Sequence, residues 1–179
     1  DTNTKTFRTF VPGMSTDTIA QFADSAAETV DSCTRTDPGE FEATLEELLV
    51  EPAVGAPFPS GSVSLDDTAV DVDPSVEALS AAETGVVRAG TGIAEYGTIT
   101  VESRPGGDEL VSLYPPRHVV VIEADDILPD TEAAFDRFEE QVREARANGT
   151  AGATRVLATG ASATADMGEL VSGVHGPTE

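Results

Sequence analysis

His118-Val-Val-Val-Ile122, then an amphipathic run from Thr131 to Ala147, then Arg155-Val-Leu-Ala158 is the succession that decides the fold class. Two apolar runs of strand length flank a segment in which Ala134, Phe135, Phe138, Val142 and Ala145 recur at helical spacing, and Asn148-Gly149 supplies a stop. A strand, a crossover helix and a second strand pack as a unit. The two runs are therefore predicted to be parallel neighbours, and the class is α/β, with a largely parallel sheet covered by helices on both faces. Tyr114-Pro-Pro-Arg-His118 gives a stiff lead into a central strand.

Upstream of this unit the periodicity is helical. Thr16 or Asp17 can cap a helix with Ile19, Phe22, Ala23, Ala26 and Val30 on one stripe, and Asp37-Pro38 opens a second with Phe41, Leu45, Leu48 and Leu49. Glu51 to Gly61 holds three prolines and two glycines and reads as a linker. Short strands are expected at Ala69 to Val72, Gly85 to Arg88 and Thr98 to Val101, and a short helix from Pro74 to Ala82. This organisation divides the chain into residues 1–16, an extension or tag remnant around a start at Met14; a helical pair over 17–60; and an α/β core over 61–179.

Downstream, the run Ala158 to Pro177 gathers hydroxyls, glycines, a carboxylate and His175. Ala163 to Val171 has helix-forming composition, so a helix N-terminus is expected to face the loop at Gly160. Unpaired N–H groups there favour an anion, with Ser162 and Thr164 as added donors. A second reading fits the same residues, with Ser162 or Thr164 as a cap and Asp166 in the first turn. His175, in Gly173-Val-His-Gly-Pro177, either transfers protons near neutral pH or pins the chain through a backbone carbonyl.

Gly90, Gly92 and Gly97 crowd a second segment, Ala89 to Thr98, where they let backbone approach a ligand and where Thr91 and Thr98 offer hydroxyls. Glu95 is its carboxylate. In a desolvated cleft it serves as base or nucleophile; otherwise it is an exposed loop acid. The segment lacks the third glycine of a dinucleotide fingerprint, no P-loop lysine follows, and no G-x-S-x-G elbow occurs in the chain.

Charge excludes several partners. The 179 residues carry 33 acids against 10 bases, a formal net charge of −23, with Lys5 as the sole lysine. Nucleic acid needs clustered bases to replace its counterions, and the arginines here are scattered. Cys33 is the one cysteine, whereas an iron–sulfur cluster takes about four thiolates, so no cluster is expected on this chain. His118 and His175 lie far apart with no zinc spacing around them, so no metal and no redox cofactor is expected. No apolar run reaches the ~20 residues of a membrane span, and no basic-then-apolar leader is visible. The expectation is a cytoplasmic protein.

Three blocks carry a family likeness. Gly92-Ile-Ala-Glu-Tyr-Gly-Thr98, Ser112-Leu-Tyr-Pro-Pro-Arg-His-Val-Val-Val121, and Thr159-Gly-Ala-Ser-Ala-Thr-Ala-Asp-Met with Gly173-Val-His-Gly-Pro177 resemble the lactate utilisation (LUD) domain family, most nearly its small LutC-type subunit. The resemblance implies a three-layer fold like that of ribose-5-phosphate isomerase, glucosamine-6-phosphate deaminase and the CoA transferases. It implies a part in oxidising L-lactate to pyruvate beside iron–sulfur subunits, as a cluster-free accessory subunit that binds a small carboxylate or phosphate or organises its partners. It also marks Thr98, Ser162, Thr164, Asp166 and His175 as a pocket; the glycine-rich segments add Gly92 and Gly160 as ligand contacts, and Glu95 and His175 are the catalytic candidates. The alternative, by fold analogy, is a stand-alone isomerase or transferase acting on a phosphorylated sugar or CoA ester, with Glu95 or Asp166 as base.

The acid excess yields a prediction of its own. Self-repulsion of this size opposes compaction at low ionic strength, and at about 1 M salt the Debye length shrinks to about 3 Å. Lysine scarcity with acid excess fits a salt-loving source. The thermal unfolding midpoint, followed by circular dichroism, is expected to climb steeply between millimolar and molar potassium chloride; a midpoint already maximal at millimolar salt would contradict it.

Overall fold

A computed structural model describes residues 16–59, 61–152, 154–161, 163–166, 169–172 and 177, with backbone alone for 163–172. Its centre is a four-stranded sheet in the order β2-β1-β3-β6, formed by β1 (Ala53–Gly55), β2 (Asp71–Val72), β3 (Thr84–Arg88) and β6 (Arg117–Val121). All three pairings are parallel. Alternation sorts the strand residues between two faces. Ala53, Val86, Val119 and Val121 pack with Phe41 and Leu45 of α2 (Phe41–Leu48), while Val54, Val87 and Val120 pack with Leu79 of α3 (Val76–Ala81) and Val111 of α4 (Asp108–Leu113). Helices therefore cover both faces, and the α/β, largely parallel class is the observed one.

A second four-stranded sheet lies against the first. Its order is β7-β4-β5-β8, from β4 (Gly92–Ile93), β5 (Thr98–Glu102), β7 (Ile127–Leu128) and β8 (Arg155–Ala158). β4 pairs antiparallel with β5 and parallel with β7, and β5 pairs antiparallel with β8. The expected parallel pairing of the 118–122 and 155–158 runs is thus corrected. The chain leaves the parallel sheet before the crossover, lays β7 beside β4, and enters α5 (Thr131–Ala147) from the second sheet, which delivers β8 to β5. Among the described residues β6 is accordingly an edge strand and not a central one.

Local signals explain most boundaries. Asp130 caps α5 by accepting the Ala133 N–H at 2.9 Å, and Ser75 caps α3 by accepting that of Ala78 at 3.2 Å. Ala134 of α5 is fully buried, yet Phe135 is 58% exposed, so the stripe read from the sequence is wider than the face α5 buries. The stretch read as a linker instead holds β1, whose three residues are buried; the sheet draws strands from both sides of residue 60. Within Ala163 to Val171, expected as a helix, the described residues are instead antiparallel strands β9 (Ala163–Asp166) and β10 (Glu169–Ser172). Ala-Thr-Ala-Asp alternates small apolar with polar residues, and that two-residue period outweighs helix-forming composition. Among the described residues no helix begins after Gly160.

α1 (Thr16–Ala26) rests on the second sheet through Phe22 and Ala26, which pack with Ala94, Ile99, Ile122 and Ile127. It comes so close that glycine is required beneath it. Gly97 has φ +63°, and a Cβ there would stand 2.4 Å from the Ala26 nitrogen. Gly160, with φ +71°, would meet Thr29 at 2.5 Å, just beyond the end of α1. Gly97→Ala is expected to destabilise by about 2–3 kcal/mol, combining left-handed strain with displacement of α1, and to lower the melting midpoint by about 5–10 °C. Gly149→Ala, where φ is +70° but nothing lies within 4 Å of the new Cβ, is expected to show only the strain, about 1 kcal/mol. Equal shifts in the two variants would refute the packing account.

Candidate functional site

The topology of the parallel sheet selects a location. β2 and β3 lie on opposite sides of β1, so the loops leaving β1 and β3 diverge, and open α/β sheets bind ligands outside the carboxyl ends of their strands at such a switch point. Arg88 ends β3 there and is 8% exposed. Its Nη2 lies 2.9 Å from Glu123 Oε1, just past β6, and 3.8 Å from Asp126 Oδ2, while its Nη1 donates to the Pro59 carbonyl at 3.4 Å. Arg137 of α5 reaches the other Asp126 oxygen at 2.7 Å. From the loop after β1, Ser62 donates its N–H and its hydroxyl to Glu123 Oε1 at 2.9 and 3.1 Å.

These donors tune the carboxylate. The Ser62 backbone N–H, the largest influence, holds Glu123 below the usual carboxylate range; burial opposes this, and the Ser62 hydroxyl and the Arg88 charge add to it. A second pair braces the end of β3. Arg104 donates to the Arg88 carbonyl at 3.1 Å and pairs with the fully buried Asp108 at the start of α4.

Beside the network runs a cavity of about 1090 Å³. Ser62 and Glu123 line one part, the length of β6 another, and Thr159, Gly160 and Pro177 a third; Ile19, Phe22, Phe41 and Leu45 form much of the apolar lining. Its volume lies slightly above the range of about 300–1,000 Å³ for ligand pockets, and its surface is mostly apolar with polar side chains set among it. His118 of β6 also lines it. The Nε2 atom is buried without a hydrogen-bond partner among the described residues, and burial pushes the ring down to about 4, so it is neutral at physiological pH.

The residues singled out in the sequence fall into three groups. Thr98 and the turn at Thr159-Gly160 do meet: the two threonine hydroxyls lie 2.6 Å apart, and Gly97, Ile99, Thr159 and Gly160 all line the cavity. Gly92 and Glu95 have other environments. A Cβ at Gly92 would stand 2.8 Å from Ile122 Cδ1 and 3.1 Å from Phe22, so its smallness serves packing. Glu95 is exposed on the β4–β5 turn, accepts from the Thr131 hydroxyl at 3.4 Å, and holds the neighbouring Tyr96 phenol above its usual range by accepting its hydrogen bond. The desolvated cleft that a carboxylate base requires is not around it. Ser162 and His175 lie outside the described residues, and of Thr164 and Asp166 only the backbone, in β9, is described.

Sequence reasoning missed the Arg88–Glu123 network. The available signal was an arginine ending the apolar run Gly85-Val-Val in a chain so poor in bases. Among the described residues no group of three histidine, cysteine or acidic side chains could hold a metal ion. Among the same residues no helix is long and apolar enough to cross a membrane.

The family model of the LUD domain matches residues 23–179. The chain belongs to the LUD domain family. That family is associated with lactate utilisation, as the sequence resemblance implied. The fold of this LUD domain is also similar to the crystal structure of a DUF162 family protein from Deinococcus radiodurans, with a TM-score of 0.62 and 22% identity, over 90% of this chain and 92% of that one. No curated protein matches the chain.

The buried ring of His118 predicts an acid-side loss of stability. Its folded value, about 4, lies below the unfolded value near 6.5, so the unfolded chain takes up the proton first as pH falls. The contribution is whole above about pH 6.5 and declines toward pH 4, on the order of 3 kcal/mol. His118→Gln is expected to flatten that part of the pH profile in urea unfolding at fixed salt; an unchanged slope between pH 6.5 and 4 would contradict the burial.

Proposed function

We propose that this LUD domain is the cluster-free accessory subunit of a cytoplasmic, iron–sulfur-dependent assembly that oxidises L-lactate, where it binds a small anionic ligand or organises its partners. Membership of a lactate-utilisation family over most of the chain is the observation that carries the proposal. The chemistry of the chain supports it. Oxidising a 2-hydroxy acid to a keto acid needs an electron acceptor, and one thiol at Cys33 is too few for a cluster, so partners are the economical source of the redox centre. The cavity supports a binding role, since it joins a broad apolar surface to the polar end at Ser62 and Glu123.

An affinity-tagged chain, recovered from its native cells at the salt concentration of that cytoplasm, is expected to bring down iron and acid-labile sulfide in stoichiometric amounts. Recovery without iron or sulfide would defeat the assembly. L-lactate added to the recovered complex is expected to reduce a dye acceptor, and Arg88→Gln is expected to lower the rate by tenfold or more.

A further inference from the structure

We propose that Arg88 and Ser62 form an anion cradle that Glu123 occupies in the resting chain, and that the carboxylate of a small ligand takes its place. The proposal rests on the reading above that the cavity receives a small anion, and it assigns the residues and the class, a monocarboxylate. Three donors converge on one oxygen: the Ser62 N–H at 2.9 Å, the Ser62 hydroxyl at 3.1 Å and Arg88 Nη2 at 2.9 Å all meet Glu123 Oε1. Convergence of a guanidinium, a backbone amide and a hydroxyl is how proteins hold an external carboxylate oxygen. Here the oxygen belongs to the chain.

Place and exposure argue that Glu123 is replaceable. The cradle lies at the carboxyl ends of β3 and β6, where parallel sheets present ligands, and both Ser62 and Glu123 line the cavity. Within the ion network the Arg88 side chain is 9% exposed, Asp126 21% and Glu123 30%. The guanidinium is thus the fixed member, and Glu123 is the more exposed of its two carboxylate partners. Arg88 keeps Asp126 at 3.8 Å and the Pro59 carbonyl at 3.4 Å when Glu123 turns away, so opening the cradle does not leave it buried without partners. An occupying side chain lowers apparent affinity by the fraction of time the site is open, so removing its charge tightens binding by the same factor.

Calorimetry on the full chain with acetate, L-lactate, pyruvate and inorganic phosphate tests this. Glu123→Gln is expected to bind the three carboxylates about tenfold more tightly than the unmodified chain, with phosphate unchanged, and Glu123→Gln combined with Arg88→Gln is expected to lose the gain. No gain in Glu123→Gln, or a gain that survives loss of Arg88, overturns the cradle; a gain confined to phosphate overturns the assignment to carboxylates. If Glu123→Gln fails to fold, the Ser62 amide resonance of the unmodified chain decides: it is expected to move on saturation with L-lactate, and a stationary resonance overturns the proposal. The iron and sulfide recovered with the tagged chain are read separately. A chain that assembles but shows no tightening in Glu123→Gln defeats this inference alone.

Discussion

Burial of β3 on both faces is the constraint on which the rest of the molecule depends. All five of its residues are buried, and its neighbours β1 and β6 pair with it in parallel register. Val86 and Val87 point to opposite layers, so one short strand ties the α2 layer to the α3 and α4 layer. Both its ends then carry polar groups under tight control. At the start, the Thr84 hydroxyl donates to the Val50 carbonyl and accepts the Val50 N–H; at the finish, Arg88 is delivered to Glu123, Asp126 and the Pro59 carbonyl. A charged side chain held this rigidly follows from the register of its strand.

Much of this was legible in the chain itself. The 17-residue α5 appears where its apolar spacing and Asn148-Gly149 stop place it, and the strands at 84–88, 98–102 and 117–121 fall within a residue or so of the apolar runs. What escaped was determined by partners far along the chain. β1 is three residues between prolines, and nothing local distinguishes it from a loop; only its placement between β2 and β3 makes Ala53-Val54-Gly55 a strand. Likewise Arg155 to Ala158 is a strand on either reading, but its choice of β5 over β6 is made by β7, two residues long.

The glycines teach the same lesson about the site. Close-packed glycines near hydroxyls suit a ligand and suit a helix equally well, and at Gly92, Gly97 and Gly160 the helix or its continuation is the neighbour. Packing accounts for the smallness of these three residues. The groups that converge on one point, Ser62, Arg88 and Glu123, lie 26 and 35 residues apart in sequence, in segments with no motif, so only the sheet could assemble them.

Among the described residues β8 has a strand neighbour on one side only, β5, and its Val156 and Leu157 are 47% and 49% exposed. Such an edge invites pairing with another chain. Distributed negative charge keeps copies of the molecule apart at low ionic strength, so the acids act as a colloidal guard over this strand as well as a burden on the fold. Salt removes both influences together. A salt concentration that relieves repulsion within one molecule therefore also relieves repulsion between copies that meet at this edge.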